Sequence, residues 1–213
     1  IISSYQPHYY QALEKNIAET IGIPYEVIKV DNPGKMGICE AYNQGAEQAQ
    51  YDYLLFLHED VLFITKDWGI ALFEYFQNPK IGVIGIAGSN YVPNCPFAWW
   101  DHANHQFRNL IQYNKADFLR EYKLLEDKEA VCLDGIFLAC KKSTYKLINF
   151  EKSITSFHFY DINFSTKIAQ HAQNIITSKI VIKHFSEGRP DLIWFKEIIK
   201  HRKSFHAPPS QKL

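Results

Sequence analysis

Three consecutive polar residues, His58, Glu59 and Asp60, end the apolar run of the segment YLLFLHEDVLF (53–63), after which the chain turns apolar again. Desolvating a carboxylate costs several kcal/mol unless something pairs with it. Asp60 therefore either caps a turn or holds a cation. Polar groups also follow other apolar runs: Ser4 and Tyr5 after the first, Asp31 and Asn32 after YEVIKV, and His184 at the end of IITSKIVIKHF. If these runs are strands of one parallel sheet, the polar groups share the rim beyond the carboxyl ends, where open α/β sheets bind ligands.

The elements that would position these groups alternate. IISS reads as the second half of a strand, Gln11 to Ile21 as a helix and YEVIKV (25–30) as a strand closed by the turn residues DNPG. Ile38, Ala41, Tyr42, Gly45, Ala46 and Ala49 fall on one helical stripe. YLLFL shows no alternation and reads as a strand buried on both faces. A helix over Asp67 to Gln77 and the strand IGVIGI complete a βαβαβαβ order, which predicts a doubly wound α/β half with right-handed crossovers. Beyond it, Gln106 to Glu129 is too polar to assign. AVCLDGIFLAC reads as two strand arms around Asp134 and Gly135, and KKSTYKLI and YDINFSTKIAQHAQ read as helices. The tail APPSQKL (207–213) reads as disordered.

Composition narrows the classes. A chain of 213 residues has ample length for a real core, and a formal net charge of zero leaves no electrostatic footprint for nucleic acid. The cysteines Cys39, Cys95, Cys132 and Cys140 are far apart and form no C-x-x-C, which argues against a zinc knuckle or disulfide scaffold and for a reducing, cytoplasmic location. Ile81 to Trp100 is uncharged, but Gly82, Gly85, Gly88, Pro93 and Pro96 would break a membrane-spanning helix. A soluble protein is expected. The C-terminal segment DLIWFKEIIKHRK has the composition of a peripheral contact with the inner membrane face, though packing on its own domain is the simpler expectation.

Eight segments in order carry a resemblance: IISSY, VDN (30–32), EAYNQGAEQA (40–49), FLHEDV (56–61), GVIGIAGS (82–89), LDGIFLACKK (133–142), FHFYDINFS (157–165) and IKHFSEG (182–188). Together they resemble the GT-A-fold glycosyltransferases of the family 2 type, within which the nearest group is a bacterial glycosyltransferase-like branch carrying H-x-D for the usual D-x-D. The resemblance implies an α/β, Rossmann-like single domain over 1–213, with a mixed, mostly parallel sheet flanked by helices. Residues 1–100 would bind nucleotide, 101–190 would face the acceptor, and 191–213 would be a helix and tail. It implies a metal-dependent, inverting transfer of sugar from a nucleotide-diphosphate donor, a UDP-sugar foremost, to a hydroxyl of a glycan or lipid-linked acceptor in bacterial surface polysaccharide synthesis. Asp60 would bind Mn2+ or Mg2+ on the diphosphate, His184 would complete that site, and His58 stands where most of the superfamily has Asp. Ser4, Tyr5, Asp31, Asn32, His58 and Asp60 would line the donor, and Asp161 would be the general base.

Each residue also has a plainer explanation. Asp161 could cap its helix, Asp31 and Asn32 precede Pro33-Gly34 as turn residues do, and Asp134 could make a tight turn before Gly135. Glu59 reads as structural or solvent-facing. His102 and His105, among Trp99, Trp100 and Phe107, read as an aromatic loop rather than a metal pair. NPGKMG lacks the spacing and ending of a P-loop. A sugar nucleotidyltransferase would need a glycine-rich loop where the chain has SSYQPHYY. A non-catalytic nucleotide- or glycan-binding module is the rival from another class, and turnover of a donor separates it from a transferase.

Overall fold

The computed structural model describes residues 1–92, 98–100, 103–188 and 191–201. His102, Pro93, Cys95, Pro96 and the tail lie outside the described residues. The chain runs β1 (Ile2–Ser4), α1 (Pro7–Thr20), β2 (Lys29–Asp31), α2 (Ile38–Gln48), β3 (Tyr53–Leu57), β4 (Val61–Phe63), α3 (Trp68–Tyr75), β5 (Ile81–Gly85) and β6 (Ala87–Ser89). Then come β7 (Gln106–Arg108), β8 (Leu110–Asn114), β9 (Asp117–Tyr122), β10 (Lys128–Ala130), β11 (Cys132–Leu133), β12 (Phe137–Lys141), α4 (Lys142–Ile148), α5 (Tyr160–Ile168), β13 (Gln173–Ile176), β14 (Ile182–His184) and α6 (Leu192–His201).

Seven strands form the central sheet in the order β10-β13-β5-β12-β3-β1-β2. β1 is parallel to β2 and to β3, and β13 is parallel to β5, but β12 runs antiparallel between β3 and β5. The reversal matters for the site. Antiparallel β12 brings its amino end to the rim where β3 ends, with Phe137 opposite Leu57 and the His58 N–H donating to the Ile136 carbonyl at 3.2 Å. Asp134 and Gly135 thereby reach the rim where β3 delivers His58.

Two smaller sheets build the other side. β4 leaves the central sheet and pairs with β14 in the order β4-β14-β8-β9, and β11-β6-β7 forms the third sheet. The segment 106–129 is thus mostly strand, its polarity explained by half-exposed positions along β7 and β8 and exposed ones along β9. IITSKIVIKHF is not one strand. It splits at Thr177–Val181, where Asp127 accepts the Ser178 N–H and hydroxyl, both at 2.8 Å, and turns the chain from the central sheet to the four-stranded one. The expected strand over 25–30 shrinks to Lys29–Asp31.

The helices follow the apolar stripes. Ile38, Ala41, Tyr42, Gly45 and Ala46 are buried on α2, as their spacing predicts. Under the rim, Phe56 is fully buried against Tyr42, Phe150 and Tyr145, with ring centroids 5.1, 4.8 and 5.5 Å away. Helix α1 starts at Pro7, four residues earlier than its apolar pattern suggests, because proline needs no N–H at a first helical position. Its N-cap, Gln6, contributes no side-chain cap. Glu59 takes that role from across the sheet: one carboxylate oxygen accepts the N–H groups of Tyr5 at 3.1 Å and Gln6 at 2.9 Å. A carboxylate there also meets the positive end of the helix dipole.

Glu59 is therefore buried and joins α1 to the end of β3. Replacing it with Ala leaves two backbone donors without an acceptor, and stability should fall by about 1–3 kcal/mol, read as a lower urea midpoint. A midpoint equal to that of the wild type would show that α1 does not depend on this cap.

Candidate active site

His58, Asp60 and His184 converge. One ligating atom from each lies within 4.8 Å of the others, with His58 Nδ1 3.9 Å from Asp60 Oδ1 and His184 Nε2 3.7 Å from Asp60 Oδ2. Backbone pairing sets this arrangement. β3 delivers His58 to the rim, Asp60 follows before β4, and the antiparallel pair β4–β14 puts His184 opposite Val61. The Phe185 N–H donates to the Asp60 carbonyl at 3.0 Å and ties the two chain ends together.

The imidazoles are oriented from behind. Gln112 donates its amide to the carbonyls of Tyr113 at 2.9 Å and Ser186 at 2.7 Å, so its oxygen must face His184. His184 Nδ1 lies 3.2 Å from that oxygen and carries the proton, which leaves the Nε2 lone pair turned toward Asp60. On the other side His58 Nε2 lies 2.8 Å from the Tyr160 hydroxyl. With the proton on Nε2 donated to that oxygen, Nδ1 also presents a lone pair to Asp60. Two imidazole nitrogens and one carboxylate oxygen thus point into one space. Such a mixed N and O set could hold a divalent ion and leaves coordination positions for phosphate oxygens.

Charge balance agrees with this assignment. Burial pushes the Asp60 carboxyl up, but His184, His58 and the Ser186 hydroxyl outweigh it and hold Asp60 below the ordinary carboxylate range. Burial drives His184 below the ordinary imidazole range, against the pull of Asp60. Each ring compensates Asp60 when protonated, and a bound cation would take over that compensation once the rings have lost their protons.

Two cavities flank the triad. One, of about 470 Å³, is lined by Ser3, Tyr5, Asn32, Gly34, Glu59 and Tyr160 together with His58 and Asp60. The other, of about 270 Å³, is lined by Trp99, Trp100, Arg108, Tyr122 and Asp134 together with His184. A separate apolar cavity of about 150 Å³ on the far side of the sheet, between α1 and α3, stands away from the triad.

The sequence-predicted residues divide accordingly. Tyr5, Asn32, His58 and Asp60 line the first cavity. Asn32 is fully buried, and its side chain bonds Ser3 Oγ at 3.2 Å and both backbone groups of Met36, so it shapes the wall as a turn residue does. Ser4 is buried behind Ser3, its carbonyl taken by the Asn32 N–H at 2.8 Å. Asp31 is exposed, ion-paired to Lys29 at 2.6 Å, and does not line this cavity.

Asp161 is not the helix cap. The cap position of α5 is Phe159, held at φ 70°, a left-handed conformation that is strained for a bulky residue. Asp161 follows in the first turn, and its oxygens accept the N–H groups of Ile162 at 2.8 Å and Gly135 at 2.9 Å. Burial and the neighbouring Asp134 push its carboxyl up to about 7, against the helix dipole, which favours the ionised form in a first turn. Gly135 is required between them, because a Cβ there would overlap the Tyr160 hydroxyl. Asp134, not Asp161, lines the second cavity, where it accepts from Trp99 Nε1 at 3.1 Å and the Ile136 N–H at 2.9 Å.

The sequence gives partial warning of the supporting residues. Ser186, two residues beyond His184, and Tyr160, beside Asp161, fall inside the quoted motifs. Gln112 lies in an unremarkable strand, and only the register of β8 against β14 reveals it.

Comparison with known proteins agrees with the geometry. The family described as glycosyltransferase like matches residues 1–194. No curated protein sequence matches the chain. Among solved structures, GalNAc-T7 with UDP, GalNAc and Mn2+ is similar with a TM-score of 0.61 at 11% identity, over 93% of this chain and 46% of that one. The mannosyltransferase PcManGT from Pyrobaculum calidifontis, in complex with GDP-Man and Mn2+, is similar with a TM-score of 0.63 at 12% identity, over 98% of this chain and 64% of that one. The chain thus spans less than two thirds of the length of either structure. At these identities the likeness establishes the fold. With the family match covering most of its length, the chain belongs to the glycosyltransferase-like family and has the GT-A fold.

Proposed function

We propose that this protein transfers a sugar from a nucleotide-diphosphate donor to an acceptor hydroxyl with inversion at the anomeric carbon, in the synthesis of a bacterial surface glycan. The observation that carries this reading is the triad His58, Asp60 and His184, placed between two cavities at the carboxyl rim of the sheet. The donor occupies the cavity of Tyr5, Asn32 and Glu59, and the acceptor occupies that of Trp99, Trp100 and Asp134. The Mn2+ and nucleotides of the two similar structures are consistent with that division.

His58, Asp60 and His184 would hold Mn2+ or Mg2+, which when bound neutralises charge on the diphosphate. The remaining steps belong to side chains. Glu59 spends one oxygen on α1, and its other oxygen is buried without a protein partner at the cavity wall. That oxygen accepts a ribose hydroxyl or a base N–H, and UDP is the expected carrier. Asp161, partly exposed and bonded to Gly135 beside the wall residue Asp134, takes the acceptor hydroxyl proton, and a carboxyl of about 7 is well matched to that task near neutral pH. The freed oxygen attacks the anomeric carbon as the bond to the diphosphate breaks, and the electron pair leaves with the nucleotide. One displacement needs one base and no enzymic nucleophile. On α6, the exposed Leu192, Ile193, Phe195 and Ile199, near Lys196 and Lys200, provide the peripheral membrane contact, and no helix among the described residues is long and apolar enough to cross a membrane.

Calorimetric titration of Mn2+ in the presence of UDP tests the triad. Asp60→Ala should remove the mutual enhancement of Mn2+ and UDP binding. Gln112→Leu should weaken Mn2+ roughly 10–100-fold, the usual worth of a group that orients a metal-bound imidazole. Unchanged Mn2+ binding in both variants would remove the proposed ligands.

Rate profiles test the base. Asp161→Asn should lower transfer roughly 10²–10⁴-fold. Asp134→Asn removes a negative neighbour, lowers the Asp161 pKa and should shift the acidic limb of the kcat profile to lower pH. If Asp134→Asn abolishes transfer and Asp161→Asn preserves it, Asp134 is the base.

Stability supplies an independent check. With its carboxyl at about 7 rather than the ordinary 3.8, folded Asp161 keeps a proton that the unfolded chain loses. Stability therefore falls as pH rises across that window and levels off above it. The Tm of Asp161→Asn, relative to wild type, should rise between pH 5 and pH 8. A constant difference would contradict the raised value.

A further inference from the structure

One end of the proposed acceptor cavity gathers two arginines, Arg108 and Arg120. Arg108 lies over the rings of Trp99 and Tyr122 at 5.0 and 4.8 Å, and donates to the Tyr122 hydroxyl at 2.9 Å and Gln106 Oε1 at 2.8 Å. Its Nε is buried with no acceptor. Arg120, exposed on β9, lies over the Tyr122 ring at 5.8 Å. The two guanidiniums share a depression of about 400 Å³ with Trp100, Gln106 and Tyr122, and among the described residues no carboxylate lines it. Among the described residues neither arginine forms an ion pair. The depression shares Trp100, Arg108 and Tyr122 with the cavity that reaches Asp134 and His184.

Strand register fixes the geometry. His184 pairs with Gln112, and Gln112 pairs with Arg120, so the three stand on one rung across β14, β8 and β9. The His184–Gln112 contact shows that these side chains share a face. Two strand spacings separate the ends of the rung, placing Arg120 about 10 Å from the metal-facing imidazole. Acidic groups, Asp134 and Glu187, line the cavity with His184, while the arginines gather at the other end. A guanidinium held over aromatic rings with donors to spare is built for planar anions, which it grips in pairs of hydrogen bonds.

We propose that the acceptor is an acidic saccharide, whose carboxylate or phosphate pairs with Arg108 and Arg120 while a neighbouring sugar ring lies against Trp100 and Tyr122. The inference rests on the transferase reading for the word acceptor, but its binding prediction does not require turnover. A purely structural pair of arginines would bind neutral and acidic sugars alike.

The test is equilibrium binding without donor, by calorimetry at low and high salt. The probes are a disaccharide ending in glucuronic acid, its neutral glucose counterpart and a glycosyl phosphate. At low salt at least one anionic probe should bind tenfold or more tightly than the neutral one, and the tighter of the two identifies carboxylate or phosphate as the natural group. Salt should shrink the difference. Arg120→Gln, on an exposed strand face, should reduce the discrimination about tenfold and leave neutral-sugar affinity and Tm unchanged. Equal binding of all three probes by the wild type would overturn the proposal, as would full discrimination in Arg120→Gln. Absent donor turnover with discrimination intact would instead count against the transferase reading alone.

Discussion

Val61 and His184 face each other across the antiparallel pair β4–β14, and the site depends on that register. Asp60 precedes Val61 in the chain, so the pairing brings an imidazole to within 3.7 Å of a carboxylate that burial would otherwise neutralise. A slip of one residue would turn His184 to the opposite face of its strand and leave Asp60 desolvated without its main compensating group. The same pairing brings β8 alongside β14, and with it Gln112, whose oxygen sets the His184 tautomer. Register, proton position and charge on Asp60 are thus linked.

Most of residues 1–100 was legible in the sequence because its signals are local. The apolar run of β3, the stripe of α2 and the polar residues at strand ends all follow from periodicity and burial. The other half depends on contacts between segments distant in sequence. Nothing near Phe137 announces that β12 runs antiparallel between β3 and β5, yet that insertion brings Asp134 and Gly135 to the rim. IITSKIVIKHF has the periodicity of one strand and becomes two, because the turn at Ser178 is fixed by Asp127, fifty-one residues away.

Charged residues were the hardest to read. Glu59 reads in sequence as either structural or solvent-facing, and it is buried as the cap of a helix it does not belong to. Asp31 looks like a ligand and is spent on Lys29. Asp161 lies in the first helical turn, where a carboxylate is normally stabilised, but burial and Asp134 reverse the balance. In each case the deciding partner comes from another part of the chain. All three members of the triad were nevertheless singled out by the family resemblance, and the structure brings them together.

Division of labour between the two halves explains why the triad lies where it does. The cavity on the β1–β3 side is walled by backbone turns and Glu59, suited to a nucleotide, and the cavity on the four-stranded sheet is walled by aromatic rings and arginine. The triad spans the two, with His58 and Asp60 on the first and His184 on the second, and a cation there would stand between the proposed donor and acceptor spaces. Anomalous diffraction at the manganese edge, from crystals grown with Mn2+ and UDP, tests that claim most directly. The account predicts one strong peak within coordination distance of Asp60 and His184, with diphosphate oxygens on the Tyr5 side. A nucleotide bound in that cavity with no manganese at the triad, or manganese bound elsewhere, would contradict it.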